Sequence, residues 1–113
     1  MQKLILTLIL LISAQILIAA KLPDGTIVDD RLIKEAYTQY RQYTFNSPVL
    51  LNTPLGRKEL KYVHFEDNGR IQAMRFSSME KIKIPAGEVS AIEVEFYYYG
   101  SKPYISKVVL ADN

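Results

Sequence analysis

The chain has 113 residues, 14 basic and 12 acidic, with one histidine and no cysteine. That length sets a single domain as the expectation, and the missing cysteine excludes disulfide staples, thiolate zinc sites and a lipid-attachment cysteine. The net charge of +2 is spread among interspersed charges of both signs, so no basic block is present to grip nucleic acid or an anionic membrane surface.

The first twenty residues, MQKLILTLILLISAQILIAA, differ from the rest. Lys3 is followed by an apolar stretch from Leu4 to Ile12, and a weaker one ends in Ile18-Ala19-Ala20. A short basic start, an apolar middle and a small residue before the cut are the marks of a secretory signal peptide. Residues 1–20 are therefore expected to be a signal-peptide helix cleaved after Ala20, leaving a domain at 21–113 in the periplasm or outside the cell. The alternative is an uncleaved anchor. Leu4 to Ala20 is 17 residues and contains Thr7, Ser13 and Gln15, which places it at the short limit for crossing a bilayer. Without Lys3, 13 basic residues face 12 acidic ones. All twelve aromatics (eight Tyr, four Phe) lie beyond the leader and must supply much of a small core.

Beyond the leader the chain repeats itself. PLGRKELKYVHFEDNG (54–69) and PAGEVSAIEVEFYYYG (85–100) align at an offset of 31, matching Pro54 to Pro85, Gly56 to Gly87, Val63 to Val94, Phe65 to Phe96 and Gly69 to Gly100. The offset extends upstream to Pro23, Gly25 and Phe45. After Gly100 the register slips by three, so that RIQAMRF (70–76) lies over YISKVVL (104–110). Three units result, 23–53, 54–84 and 85–113, the first degenerate with Thr38 in place of a turn glycine. Fixed periods of this length signal stacked repeats.

In chain order, the segment 29–45 comes first. Asp29 or Asp30 could cap a helix. Its Tyr, Thr and Phe content, together with the repeat, favours strand. VLLNT (49–53) and KIKI (81–84) are short β-prone runs, each closed by a Pro-x-Gly turn. KYVHF and RIQAMRF flank Asn68-Gly69, a strong hairpin signal. A two-residue turn with positive φ at both Asn68 and Gly69 sets Phe65 opposite Gln72, Val63 opposite Met74 and Lys61 opposite Phe76 on the core face. On the wetter face Tyr62 and Arg75 are placed to stack. In the third unit Ile92, Val94 and Phe96 alternate with Glu93 and Glu95, while Val108 and Leu110 fall on one face and Ile105 and Val109 on the other. The tip from Tyr99 through Gly100 to Pro103 reads as a longer loop, with Pro103 outside the ladder.

VHFEDNGRIQAMRF and VEFYYYGSKPYISKVVLA resemble units of MORN-like hairpin-repeat proteins, above all divergent bacterial exported members. Phe65, Asn68, Gly69, Phe96 and Gly100 carry the match. The tryptophan frequent in such units is absent, and Tyr99 stands where the turn asparagine would be. The resemblance implies an all-β fold, an antiparallel meander of hairpins in an extended or curved sheet, and no catalysis.

Candidate chemistry is sparse. His64 is alone and faces away from Val63 and Phe65, and Glu93 and Glu95 share an open sheet face instead of a cleft. Asp24, Asp29 and Asp30 lack the alternating oxygen ligands of a calcium loop and read as a turn and a cap. No cofactor or metal site is expected. The candidate binding surface is Tyr97, Tyr98, Tyr99 and Tyr104, since exposed tyrosines anchor interfaces. Asn68, Gly69 and Gly100 are turn residues. The expected function is an exported, non-enzymatic binding or structural module of the cell envelope, with a protein partner or self-association through sheet edges. A small periplasmic carrier of an apolar ligand, in a cupped or closed sheet, is the alternative.

Overall fold

The computed structural model describes residues 18–111. The leader expected at 1–20 lies almost wholly outside them. Every regular element described is a strand or a single 3-10 turn. Strands β1 (Ala19–Lys21) and β2 (Ile27–Asp29) form a small hairpin. Six further strands make one antiparallel sheet in sequence order: β3 (Ile33–Tyr37), β4 (Gln42–Thr53), β5 (Gly56–Phe65), β6 (Ile71–Ile84), β7 (Gly87–Tyr99) and β8 (Lys102–Leu110). β3 and β8 are its two edges and do not pair with each other, so the sheet is open.

The segment 29–45 is β-rich, as its composition suggests. Asp29 does act as a cap, accepting from the Arg31 backbone N–H at 3.0 Å, but it caps only the 3-10 turn Asp30–Leu32. The β3–β4 tip is another 3-10 turn, Thr38–Tyr40. It closes on Arg41, whose φ of 56° does the work of the absent glycine.

Three rows of paired residues cross all six strands. The inner row is Ala36, Tyr43, Val63, Met74, Val94 and Val108. Its centre is fully buried at Val63, Met74 and Val94, each contributing on the order of 1.5–3 kcal/mol by leaving water. The flanking outer rows are Glu35, Thr44, Tyr62, Arg75, Glu93, Val109 and Tyr37, Gln42, His64, Ala73, Glu95, Lys107. The expected facing of Val63 with Met74 and of Tyr62 with Arg75 is therefore found.

Strict alternation fails at both ends of these rows. Lys61 is an extra residue between Leu60 and Tyr62, and Gln72 another between Ile71 and Ala73. Each bulge reverses side-chain parity. Leu60 then pairs with Phe76, and Phe65 with Ile71, all four buried, whereas Lys61 and Gln72 are exposed. The expected core positions of Lys61 and Gln72 are thus corrected. The third hairpin behaves likewise. Ile92 bulges so that Ala91 joins Val94 and Phe96 in the core, and Ser106 bulges so that Ile105 packs on the same core as Val108.

The turns also differ from expectation. The Glu66 N–H donates to Arg70 O at 2.7 Å and the Gly69 N–H to Glu66 O at 3.0 Å. The loop therefore has three residues, and only Gly69, not Asn68, has positive φ. At the third tip Tyr99 pairs with Lys102, a tighter turn than expected, and Pro103 lies within β8 opposite Tyr98. Proline is tolerated there because an edge strand needs no outward N–H.

The β4–β5 ladder lapses over residues 45–48 of β4, and the β6–β7 ladder over residues 76–79 of β6. Beyond each lapse a two-stranded arm leaves the main sheet: Val49–Thr53 with Gly56–Leu60, turning at Pro54-Leu55, and Glu80–Ile84 with Gly87–Ala91, turning at Pro85-Ala86. Val49, Leu51 and Ile82 of the arms join Leu22, Val28 and the sheet's apolar face in one core, so the arms lie against that face. A Lys58–Glu80 ion pair of 3.7 Å ties one arm to the other.

The bulged register makes a mutational prediction. Leu60→Ala should cost about 2–5 kcal/mol, and Lys61→Ala no more than about 0.5 kcal/mol. Urea unfolding of both variants checks this, and the reverse order would restore the unbulged register.

Candidate binding edge

The four tyrosines singled out by sequence divide into two groups. β7 alternation sends Phe96 and Tyr98 inward and Tyr97 and Tyr99 outward. Tyr97 and Tyr104 are opposed across β7 and β8 and stack, with ring centroids 5.4 Å apart and planes inclined by 21°. Both are exposed. They border a groove of about 600 Å³ along β8, shared with Ile84, Pro85, Ile105 and Val108. Tyr99 is 79% exposed at the tip and is not part of that lining.

Tyr98 is a structural residue. Its hydroxyl donates to Ile71 O at 2.8 Å, and the Arg70 guanidinium stands 4.2 Å over its ring. Arg70 also donates to Gly100 O at 2.6 Å and pairs with Glu66 at 3.1 Å. One side chain thereby fastens the second hairpin tip to the third. Arg41 does the same between the first and second tips, donating through Nε to Phe65 O at 3.2 Å. Sequence reading missed both arginines, because neither lies in a repeated position.

The turn residues have local roles. Asn68 Oδ1 accepts from the Arg70 N–H at 3.1 Å. Gly69 is required twice over: its φ is +88°, and a Cβ there would lie 2.6 Å from Pro23 O. Gly100 also has positive φ but faces open space.

The outer face is occupied by ion pairs. Glu93 meets Arg75 at 2.9 Å, and Glu95 meets Lys107 at 3.4 Å. Arg75 stands 5.4 Å from the Tyr62 ring centroid, the stack anticipated from strand parity. His64 sits half-buried between Gln42 and Ala73 in its row. Asp24 accepts from the Thr26 N–H at 3.0 Å, and Asp29 holds Arg31 at 2.9 Å, a turn and a cap. Among the described residues no cluster of His, Cys, Asp or Glu is spaced to hold a metal ion.

The groove itself was not legible in sequence. Ile84 and Pro85 sit at an arm tip some twenty residues from β8, and no local pattern predicts that the arm meets that edge.

No family model, curated protein or solved structure matches this chain.

The Tyr98 clasp has a pH signature. Burial first, and then the Glu66 carboxylate, push the Tyr98 hydroxyl above its ordinary value, with Arg70 opposing. The fold thus prefers the neutral phenol. Its contribution is complete below the ordinary tyrosine pKa of about 10 and is lost as pH rises through and beyond it. Tyr98→Phe should lower stability by about 0.5–1.5 kcal/mol near neutral pH and make the alkaline fall in melting temperature shallower. An unchanged alkaline slope would mean that the hydroxyl is not held as described.

Proposed function

We propose that this chain is an exported, non-enzymatic β-repeat protein, MORN-like in its hairpin units, that serves as a binding or structural module in the cell envelope. Recurrence in the ladder supports the repeat reading. All eight residue pairs joining β4 to β5, from Gln42–His64 to Thr53–Gly56, reappear 31 positions later between β6 and β7, from Ala73–Glu95 to Ile84–Gly87. Such units cannot bury their apolar face alone and do so against their neighbours.

The binding reading rests on one observation, the edge of β8, unpaired among the described residues, beside the groove bordered by Tyr97 and Tyr104. An edge strand offers main-chain donors and acceptors for an added strand, and flanking pockets select its side chains. Glu93 and Glu95 of the outer face are engaged in ion pairs with Arg75 and Lys107, which suits a solvated structural face better than acid–base work. The volume of the groove, about 600 Å³, also lies in the range of small-ligand sites and keeps the apolar-ligand carrier as a second reading.

The N-terminal leader is proposed to be cleaved after Ala20. Because Ala19 and Ala20 pair with Asp29 and Val28, that cut would leave only the Lys21–Ile27 pair of the β1–β2 ladder, beside the Leu22 N–H bond to Thr26 O of 2.8 Å. Sequencing the exported product should give Lys21 as its first residue.

The decisive experiment is capture of partners from envelope extracts by the exported protein, repeated with Tyr97, Tyr99 and Tyr104 changed to Ser and Tyr98 kept for stability. Partner loss with an intact fold is expected. Unchanged capture would remove the tyrosine groove as the site. An apolar fluorophore that binds the parent and not the Ser variant, with no protein captured, would favour the carrier.

A further inference from the structure

We infer that the β8 edge is built to receive the β3 edge of a second copy of this chain, head to tail and in one register. The inference rests on the repeat reading above and adds to it an occupant and an alignment.

The three rows that cross the sheet define the alignment. Each runs without interruption from β3 to β8, and among the described residues each ends at an edge strand on both sides. Continuing the rows past β8 sets Val108 opposite Ala36 of the arriving copy, Val109 opposite Glu35 and Lys107 opposite Tyr37. Antiparallel order is kept, as at every ladder within the sheet. The inner row stays apolar across the junction. On the outer face Lys107, which pairs with Glu95 in its own chain, also lies diagonal to Glu35, within reach of a second cross-strand pair.

This register also places the arriving tip. β3 runs toward its tip and β8 away from its own. With Tyr37 opposite Lys107, the turn Thr38–Tyr40 of the arriving copy comes beside residues 103–106 of β8, which line the groove. Tyr37 and Tyr40 are more than half exposed in the single chain, as is Tyr97, and Tyr104 is 43% exposed. Four exposed tyrosines from two distant ends of the molecule are thus brought to one place. That accounts for an aromatic groove without a ligand of different chemistry.

Edge strands often carry lysines, prolines and bulges that discourage pairing. Lys34, Pro103 and Ser106 are such features here. Two of them do not bar this contact. The bulge at Lys34 has counterparts at Lys61 and Ile92, and that at Ser106 has one at Gln72. Those counterparts sit in interior strands that pair on both sides. Pro103 lies outside the three residues of β8 that the rows use.

The two patches differ, so the contact is heterologous and generates chains of molecules unless its rotation closes a ring. The absence of any cysteine allows a clean test by engineered disulfide. Val108→Cys and Ala36→Cys are made in separate chains, each checked for its parent melting temperature. They are then oxidised singly and as a mixture and resolved without reductant. The mixture should give a cross-linked dimer about tenfold above either homodimer, the ratio that 1.4 kcal/mol of preference produces. Sedimentation of the unaltered exported protein should show mass rising with concentration. A strict monomer with no mixed cross-link, or a dominant Val108→Cys homodimer from like-with-like edge pairing, would overturn the inference. Envelope capture is independent of this result, so a monomer that still captures a partner would leave the module reading standing.

Discussion

One extra residue in the leading strand of each hairpin governs this structure. The bulge at Lys61 and its counterpart at Ile92 let two side chains three positions apart, Leu60 with Val63 and Ala91 with Val94, point to the same side. A strand with period two cannot do this. The gain is a buried face that continues from the main sheet into the arms, where strict alternation would have turned Leu60 to solvent and Lys61 to the core. The arms can fold onto the apolar face only because that face remains apolar around the bend. Leu51 and Ile82 then close it from above.

The same design makes the two edges the chemically unfinished parts of the molecule. Where the three rows cross, the interior strands pair on both sides, and the hairpin tips are fastened to each other by Arg41 and Arg70. At β8 the rows stop with Val108 and Val109 half-buried and Leu110 exposed. Tyr97 and Tyr104 stack on each other at that edge instead of on a further strand. At β3 the rows begin at exposed Glu35, Ala36 and Tyr37. We therefore place the proposed function at the edges, whether the added strand comes from a second copy or from another protein.

The parts of the fold that were legible in sequence are those fixed by local rules. Alternation across Val63, Met74 and Val94, the Pro-x-Gly turns and the facing of Tyr62 with Arg75 follow from period two and turn chemistry. The bulges were not legible, because Lys61, Gln72 and Ser106 carry no glycine or proline to mark them. They are set by the need to keep Leu60, Ile71 and Ile105 inward, which is a tertiary demand. The first tip hid its turn for a related reason: Arg41 accepts positive φ while its side chain reaches Phe65 O. Of the candidate surface, Tyr97 and Tyr104 come together as a pair because they are cross-strand partners. Tyr98 turns the other way, because the same parity that exposes its neighbours aims it at Ile71 O.

The central claim is that 31 residues form an interchangeable block whose ladders have the same register wherever it is placed. Inserting a second copy of residues 54–84 directly after Ile84, and following urea unfolding of the longer chain against the parent, tests it most directly. A single cooperative transition with a steeper denaturant dependence and an equal or higher midpoint is the predicted result, since each added block brings its own neighbour interface. A lower midpoint, or loss of the cooperative transition, would contradict it.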